Sequence, residues 1–193
     1  MAITRYGVCN QALGWCSAPA IQSFDDGTVE ADLCKRFYES NYRLVLEGHP
    51  WNFAEKATDP LSNLLAPPPD EYDYQYNLPS DYIAFRSFLT SDKRKPRGFH
   101  KIRNNRFLTD EESPIVIYTY RAPEQFAPNY FGRLVALKLA GDLAGPLTEN
   151  SALIDRFEKA FDSEWTRATF TDSRQDSGGV IEHFPLIDAH RGI

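Results

Sequence analysis

Adjacent acidic residues are the first feature of this sequence that could carry out chemistry. Asp25-Asp26, Asp70-Glu71 and Glu111-Glu112 each place two carboxylates side by side in the chain. Hydrolysis of a glycosidic bond needs two such groups held about 5–10 Å apart. No histidine or lysine is indicated as a partner for any pair, and a helix cap, a solvated linker and a turn account for them better. We therefore predict that the chain is not an enzyme.

The remaining reactive residues lack the spacings that metal, thiol or phosphate sites need. The four histidines are His49, His100, His183 and His190. They show no metal-ligand pattern, since a zinc site takes three or four close ligands. The three cysteines are Cys9, Cys16 and Cys34. They form no Cys-x-x-Cys pair and are expected to be small core residues. No glycine-rich phosphate loop or Gly-x-Ser-x-Gly turn occurs, so we predict no cofactor and no metal site.

The composition is that of an ordinary globular protein. The 193 residues are 42% hydrophobic and 25% charged, which excludes a disordered chain, a collagen and a coiled-coil rod. No apolar run approaches the roughly 18 residues that cross a bilayer, and the first residues lack the features of a signal peptide. Three cysteines without paired spacing are typical of a reduced, cytoplasmic compartment. We expect one domain or a small two-lobed body, with no membrane segment.

One basic segment interrupts an acidic chain. The net charge is −6, from 21 basic and 27 acidic side chains. Between residues 86 and 106 there is one acid, Asp92, and the bases are Arg86, Lys93, Arg94, Lys95, Arg97, Lys101, Arg103 and Arg106. Removing these from the totals of 21 and 27 leaves 13 bases and 26 acids elsewhere, a balance of −13. Such a charge asymmetry can orient a partner as it approaches.

Three interpretations of this basic segment stay open. Cations interleaved with Phe88, Phe99 and Phe107 are typical of a nucleic-acid surface, where charges meet phosphates and rings stack on bases. A solvated hairpin is the second interpretation, and a contact with an acidic protein is the third. The acidic remainder of the chain argues against DNA as the main ligand.

Helical periodicity marks both ends of the chain. Apolar residues recur at helical spacing over residues 4–16 and 28–47, and again from residue 128 and over 151–174. We expect Gly145-Pro146 to kink or end the third of these helices. Its apolar residues lie nearly all round, which predicts that it is buried among its neighbours.

The middle of the chain has a strand pattern. Alternating or β-branched and aromatic residues predict strands over residues 72–77, 82–89 and 115–120. Residues 102–108 predict a hairpin, because the two asparagines at its centre tolerate left-handed turn geometry. We expect one antiparallel sheet of about four or five strands. The aromatic residues expected in one core cluster are Trp51, Phe53, Tyr74 and Tyr76.

These elements together predict an α+β fold. Residues 1–49 and 123–174 are expected to form a helical bundle from the N-terminal and C-terminal helix pairs. Residues 50–122 are expected to be an antiparallel β region inserted between them. Residues 175–193 lose periodicity after Ser177-Gly178-Gly179 and are expected to form an extended, flexible tail.

Six segments follow one another in a specific order over residues 3–175. They are Val8-Cys9-Asn10-Gln11-Ala12-Leu13, Ser23-Phe24-Asp25-Asp26-Gly27-Thr28, the helix from Ala31 to Leu46 running into Pro50-Trp51-Asn52-Phe53-Ala54, Tyr74-Gln75-Tyr76-Asn77-Leu78-Pro79-Ser80-Asp81, Phe107-Leu108-Thr109-Asp110, and Ala136-Leu137-Lys138-Leu139-Ala140-Gly141-Asp142-Leu143-Ala144 with Pro146-Leu147-Thr148. Their order and spacing resemble the tail tubular protein A family, the head-to-tail adaptor of short-tailed bacteriophages.

The resemblance implies a structural role in the virion. Members of this family form a ring, commonly twelvefold, between the portal vertex of the capsid and the tail nozzle. DNA passes through the lumen of the ring without sequence-specific binding, and tail fibres attach near the adaptor–nozzle junction. We therefore expect a homo-oligomer that is made in the host cytoplasm and becomes part of the virion tail at the head–tail junction. Its expected partners are the portal protein, the tail nozzle protein and tail fibres.

Two segments are predicted interaction sites. The tail is expected to bind the portal through its apolar residues, which are Val180, Ile181, Phe184, Leu186 and Ile187. The basic segment is expected to contact the nozzle or a neighbouring subunit through Lys93, Arg94, Lys95, Arg97, Lys101, Arg103 and Arg106. Two other functions stay open. One is a DNA-binding module acting through residues 86–106, and the other is a virion-associated cell-wall hydrolase that uses a carboxylate pair.

Overall fold

The computed structural model describes residues 3–64, 72–94 and 99–175. Within these ranges two helices precede six strands and two helices follow them. The helices are α1 (Arg5–Trp15), α2 (Val29–Glu47), α3 (Asn129–Thr148) and α4 (Ser151–Ser173). The strands are β1 (Glu55–Ala57), β2 (Tyr74–Asn77), β3 (Tyr82–Leu89), β4 (His100–Arg103), β5 (Arg106–Thr109) and β6 (Ile115–Tyr120). Short 3₁₀ turns at Asn52–Ala54 and Glu124–Phe126 flank the strands. The predicted α+β class is confirmed.

Side-chain caps determine where two of the long helices begin. The Thr28 hydroxyl accepts a hydrogen bond from the Ala31 amide at 3.2 Å, at the start of α2. The Asn150 side chain accepts one from the Ala152 amide at 3.1 Å, at the start of α4. Each cap satisfies an amide that has no partner within the helix. The predicted starts agree with these positions to within one residue.

Helix α3 continues past Gly145-Pro146, where the sequence predicts a kink or an end. Proline fixes φ near −65°, which is a helical value, so the helix can continue through Pro146 although one hydrogen bond is lost and the ring crowds the carbonyl four residues earlier. The helix ends instead at Thr148, and Glu149 follows with a left-handed φ of 51°. The Glu149 amide donates to the Gly145 carbonyl at 3.1 Å, which closes the final turn.

The larger hydrophobic core surrounds α3, which packs against α1, α2 and α4. As predicted, α3 is buried on several sides, with Phe131, Leu134 and Leu139 fully inaccessible to solvent. All three cysteines lie in this core as free thiols, as expected. A hydrogen bond between the Cys9 and Cys34 thiols raises the pKa of Cys9 and lowers that of Cys34.

The strands form two antiparallel sheets of three strands each, so the prediction of a single sheet is wrong. The first sheet has the order β1-β6-β3 and the second has the order β2-β5-β4. Strand β1 was not predicted from the sequence. It has three residues, and all of them are exposed. Because strand patterns specify which residues alternate but not which strands pair, both arrangements fit the same sequence.

The two sheets share a second, smaller apolar core. Tyr76 and Phe107 of one sheet pack with Phe88, Val116 and Tyr118 of the other. The ring centres of Phe88 and Phe107 are 5.1 Å apart in an edge-to-face contact.

The aromatic residues that the sequence places in one cluster belong to two cores. Trp51 and Phe53 pack in the helical core, whereas Tyr74 and Tyr76 pack between the sheets. Trp51 and Tyr76 are both fully buried, but in different clusters. The predicted core position of these residues is confirmed, but they divide between two clusters instead of forming one.

The central position of α3 predicts a large cost for truncating Phe131. Phe131→Ala is expected to lower the free energy of unfolding by about 3–5 kcal/mol, because it leaves a cavity among packed rings. Phe126→Ala is the matched control, since Phe126 is 58% exposed, and should change stability by less than about 0.5 kcal/mol. Urea unfolding followed by far-UV circular dichroism measures both. Equal losses in the two variants would contradict this account of the core.

Candidate interaction surface

The β4–β5 hairpin carries three of the predicted interaction residues, Lys101, Arg103 and Arg106. Strands β4 and β5 pair antiparallel, with Arg103 opposite Arg106 next to the turn. Asn104 and Asn105 form the turn with left-handed φ values of 51° and 58°. This is the geometry of a two-residue hairpin turn, which asparagine tolerates better than most residues. The predicted hairpin is confirmed.

The hairpin brings three of the predicted residues onto one face of the second sheet. Lys101 and Arg103 alternate along β4 and therefore project to the same side, and Arg106 lies opposite Arg103 on β5. All three are exposed. The Arg106 guanidinium donates to the Gln75 side chain at 2.7 Å.

Lys93 and Arg94 lie in the turn that follows β3. Thr90 closes this turn, since its amide donates to the Arg94 carbonyl at 3.0 Å and its hydroxyl accepts from the Arg94 amide at 3.1 Å. Both basic side chains are exposed. Lys95 and Arg97 lie outside the described residues, as do the five predicted portal-binding residues of the tail.

The position of Arg86 corrects the view of residues 86–106 as one basic surface. The Arg86 side chain is only 9% exposed. Its guanidinium donates to Glu55 at 2.8 Å and to the Thr119 hydroxyl at 3.0 Å, and it also donates to the Trp51 carbonyl. Burial lowers the pKa of Arg86, and the Glu55 carboxylate opposes that shift. Arg86 therefore connects β1, β6 and the segment after α2, and does not face a partner.

Two of the three rings proposed for base stacking are also interior. Phe88 is 5% exposed and Phe107 is fully buried, whereas Phe99 is 83% exposed. A nucleic-acid surface would require accessible rings beside its cations. Phe99 is the one member of this trio that meets that requirement.

Sequence reasoning missed Asp172, a buried carboxylate near the end of α4. Asp172 is 1% exposed and accepts hydrogen bonds from the Asn52 amide at 3.0 Å and from the Tyr130 hydroxyl at 2.7 Å. The Asn52 side chain donates to the Asp172 carbonyl at 2.8 Å, and His49 Nε2 lies 3.5 Å from the carboxylate. Asp172 lies four residues after the buried Ala168 and so continues the apolar stripe of α4, and this helical spacing is the sequence signal that could have identified it as buried.

A second polar contact holds the chain where it leaves β6. The Arg121 guanidinium lies 3.6 Å from the centre of the Tyr42 ring and donates to Glu39 and Glu124. The Tyr42 hydroxyl donates to the Ala122 carbonyl at 2.9 Å. Hydrogen bonds from Arg121 to Glu39 and Glu124 raise its pKa although burial opposes them. The entry to the β region at Asn52 and the exit at Arg121 are therefore both attached to helices.

The acidic pairs have local contacts. The Asp25 carboxylate lies 2.7 Å from the Lys35 ammonium, and the Asp26 carboxylate accepts from the Gln22 and Ser23 amides at 2.7 and 3.0 Å. Asp70 and Glu71 lie outside the described residues. Within residues 3–64, 72–94 and 99–175, no group of three or more His, Cys, Asp or Glu side chains is placed to hold a metal ion. No helix in this part of the chain has the length and hydropathy of a membrane span.

Comparison with known proteins adds no relative. No protein-family model matches this sequence, and no curated protein is similar enough to count as a match.

The environment of His49 predicts that stability falls as the pH falls. Burial lowers the pKa of His49 below its ordinary value, although Asp172 opposes the shift, and burial also lowers the pKa of His100. A histidine with a lower pKa in the folded state binds its proton more readily when unfolded. The free energy of unfolding should therefore decrease as the pH drops below about 6.5, the ordinary histidine value.

Urea unfolding at about pH 7.5 and about pH 5.5 tests this sign, because carboxylates titrate mainly below that window. In His49→Gln the loss between the two pH values should be smaller than in the wild type. His100→Gln should show the same direction. A wild-type chain that becomes more stable at the lower pH would mean that Asp172 outweighs burial at His49.

Proposed function

We propose that this chain is a structural virion protein that forms a head-to-tail adaptor ring between the portal and the tail nozzle of a short-tailed bacteriophage. The ring surrounds the DNA exit channel, and the chain is not an enzyme. The observation that carries this proposal is the uneven distribution of charge, together with one large exposed apolar side chain. An exposed basic hairpin with the accessible Phe99 stands on a chain whose other residues are strongly acidic.

A closed head-to-tail ring requires each subunit to have two different interacting surfaces. In a head-to-tail ring each subunit uses one surface toward the neighbour on one side and a different surface toward the other. Complementary charge orients such contacts and rejects wrong ones. An acidic surface would also repel DNA that passes through the ring, so the DNA would slide past it without being held.

Two of the segments that carry the family resemblance occupy structural positions, as a fold shared with that family would require. Val8, Ala12 and Leu13 lie buried in the helical core. Asp81, in the turn between β2 and β3, lies 2.6 Å from the Lys56 ammonium and accepts from the Tyr118 hydroxyl at 2.9 Å.

The buried positions of Arg86, Phe88 and Phe107 argue against the DNA-binding alternative. All three belong to the segment that would contact DNA, and all three are largely inaccessible. The hydrolase alternative loses support from Asp25 and Asp26, since the Asp25 carboxylate is paired with Lys35 and the Asp26 carboxylate accepts from the Gln22 and Ser23 amides. Neither alternative has an observation that favours it over the adaptor.

Mass photometry of the chain mixed with its cognate portal ring tests the adaptor function. We expect the portal peak to shift by an integral number of subunits of 22.0 kDa each, which would also give the stoichiometry. The chain alone provides the baseline. An intact portal whose mass does not change at any salt concentration would contradict the adaptor function.

A chain that ends at Gly178 tests the portal-binding role of the tail. We expect this truncation to abolish the portal mass shift, because it removes Val180, Ile181, Phe184, Leu186 and Ile187. Its urea midpoint should match that of the full chain, which separates lost binding from lost folding. Unchanged portal affinity would contradict this role for the tail.

A further inference from the structure

An acidic groove between α3 and α4 has no role in the proposals above. It has a volume of about 320 Å³. Its apolar lining comes from Leu137, Ile154, Phe157 and Phe161. Its acidic side chains are Asp142, Glu158 and Asp162. Lys138 also lines the groove, with its ammonium 5.8 Å from the centre of the Phe161 ring. An apolar surface bordered by charge is typical of a docking site for a protein partner.

Phe99 has the properties of a residue that inserts into such a groove. It is 83% exposed, the highest value among the exposed large apolar residues of the described chain. Its carbonyl accepts from the Thr109 hydroxyl at 3.1 Å, and the next residue, His100, packs 4.4 Å from Phe85 between ring centres. Since the Phe99 carbonyl and the residue that follows it are held, docking the ring costs less conformational entropy than docking a side chain from an unattached loop.

The charges around Phe99 and around the groove are opposite. Lys93, Arg94 and Lys101 are exposed near Phe99 along the chain, whereas Glu158 and Asp162 are exposed at the groove. A contact between two hairpins would bring bases against bases, and one between two grooves would bring acids against acids. Of the contacts that these two surfaces can make between copies, charge therefore favours the one between the hairpin of one copy and the groove of the other.

We propose that Phe99 of one copy docks into the α3–α4 groove of a second copy of this chain, with the basic residues beside it facing Glu158 and Asp162. This contact joins two different surfaces, so it can repeat from copy to copy and close into a ring. The inference rests on the proposed adaptor function for its biological setting and names the subunit contact of that ring.

Two substitutions test the contact from its two sides. Phe99→Ala removes the inserted ring, and Gly141→Leu fills the groove. A Cβ atom at Gly141 meets no atom within 4 Å, so there is open space at this position for a larger side chain and the second variant should fold. Sedimentation velocity of the full chain over a concentration series measures self-association. We expect each substitution to raise the dissociation constant by at least about tenfold, as for the central residue of an interface.

Matched controls exist for both variants. Phe170→Ala removes another exposed ring, since Phe170 is 65% exposed. Gly14→Leu adds a side chain to another helical glycine with no atom within 4 Å. Both controls should associate like the wild type. A wild-type chain that stays monomeric throughout the series overturns the proposal, as do Phe99→Ala and Gly141→Leu variants that associate normally.

Charge exchange gives an independent test. Lys93→Glu with Arg94→Glu should weaken association, and so should Glu158→Lys with Asp162→Lys. The chain that carries all four substitutions should recover association, because each interface again pairs opposite charges. Additive weakening in the fourfold variant would overturn the proposed pairing.

The outcomes separate this inference from the adaptor function. A normal portal mass shift together with unaffected self-association would refute the groove contact and leave the adaptor function in place. The expected effects on self-association without any portal shift would leave the groove contact in place and refute the adaptor function.

Discussion

A buried carboxylate, Asp172, determines how the β region is attached to the helices. Burying a carboxylate is costly unless hydrogen bonds satisfy its oxygens. Here the Asn52 amide and the Tyr130 hydroxyl donate to it, and the His49 ring lies beside it. The same contacts bring the end of α4, the start of α3 and the chain leaving α2 to one point. Any shift of one of these segments would leave a buried charge without partners, so their arrangement is strongly specified.

The strands are held at both of their connections to the helices. Arg86 extends the Asp172 junction into the first sheet through Glu55 and Thr119, and Arg121 attaches the chain leaving β6 to α2. Packing between the two sheets then fixes the hairpin that presents Phe99. The basic surface is thus displayed by a supported framework. That suits a protein whose proposed work is to hold neighbours at a set angle, because a loosely attached surface would spend binding energy on ordering itself.

Local patterns predicted most individual elements. The limits of β3 and β6 coincide with the predicted strands 82–89 and 115–120, because alternation and side-chain shape depend only on neighbouring residues. The capped helix starts and the turn at Asn104-Asn105 were predictable for the same reason. The end of α3 was not, since the position of a proline within the last turn decides whether the helix can continue through it.

The sequence by itself determined the α+β class, most helix and strand limits, and the contrast between a basic segment and an acidic chain. Only the tertiary structure decided that the strands divide into two sheets, and that Arg86 is interior while Phe99 is exposed. It also decided that α4 carries the buried Asp172 at one end and forms one wall of a groove. The physical reason is distance along the chain. Helix and strand patterns arise among residues a few positions apart in the sequence. Burial and charge pairing depend instead on residues that are far apart in the sequence, such as Asn52 and Asp172, and only folding brings these together.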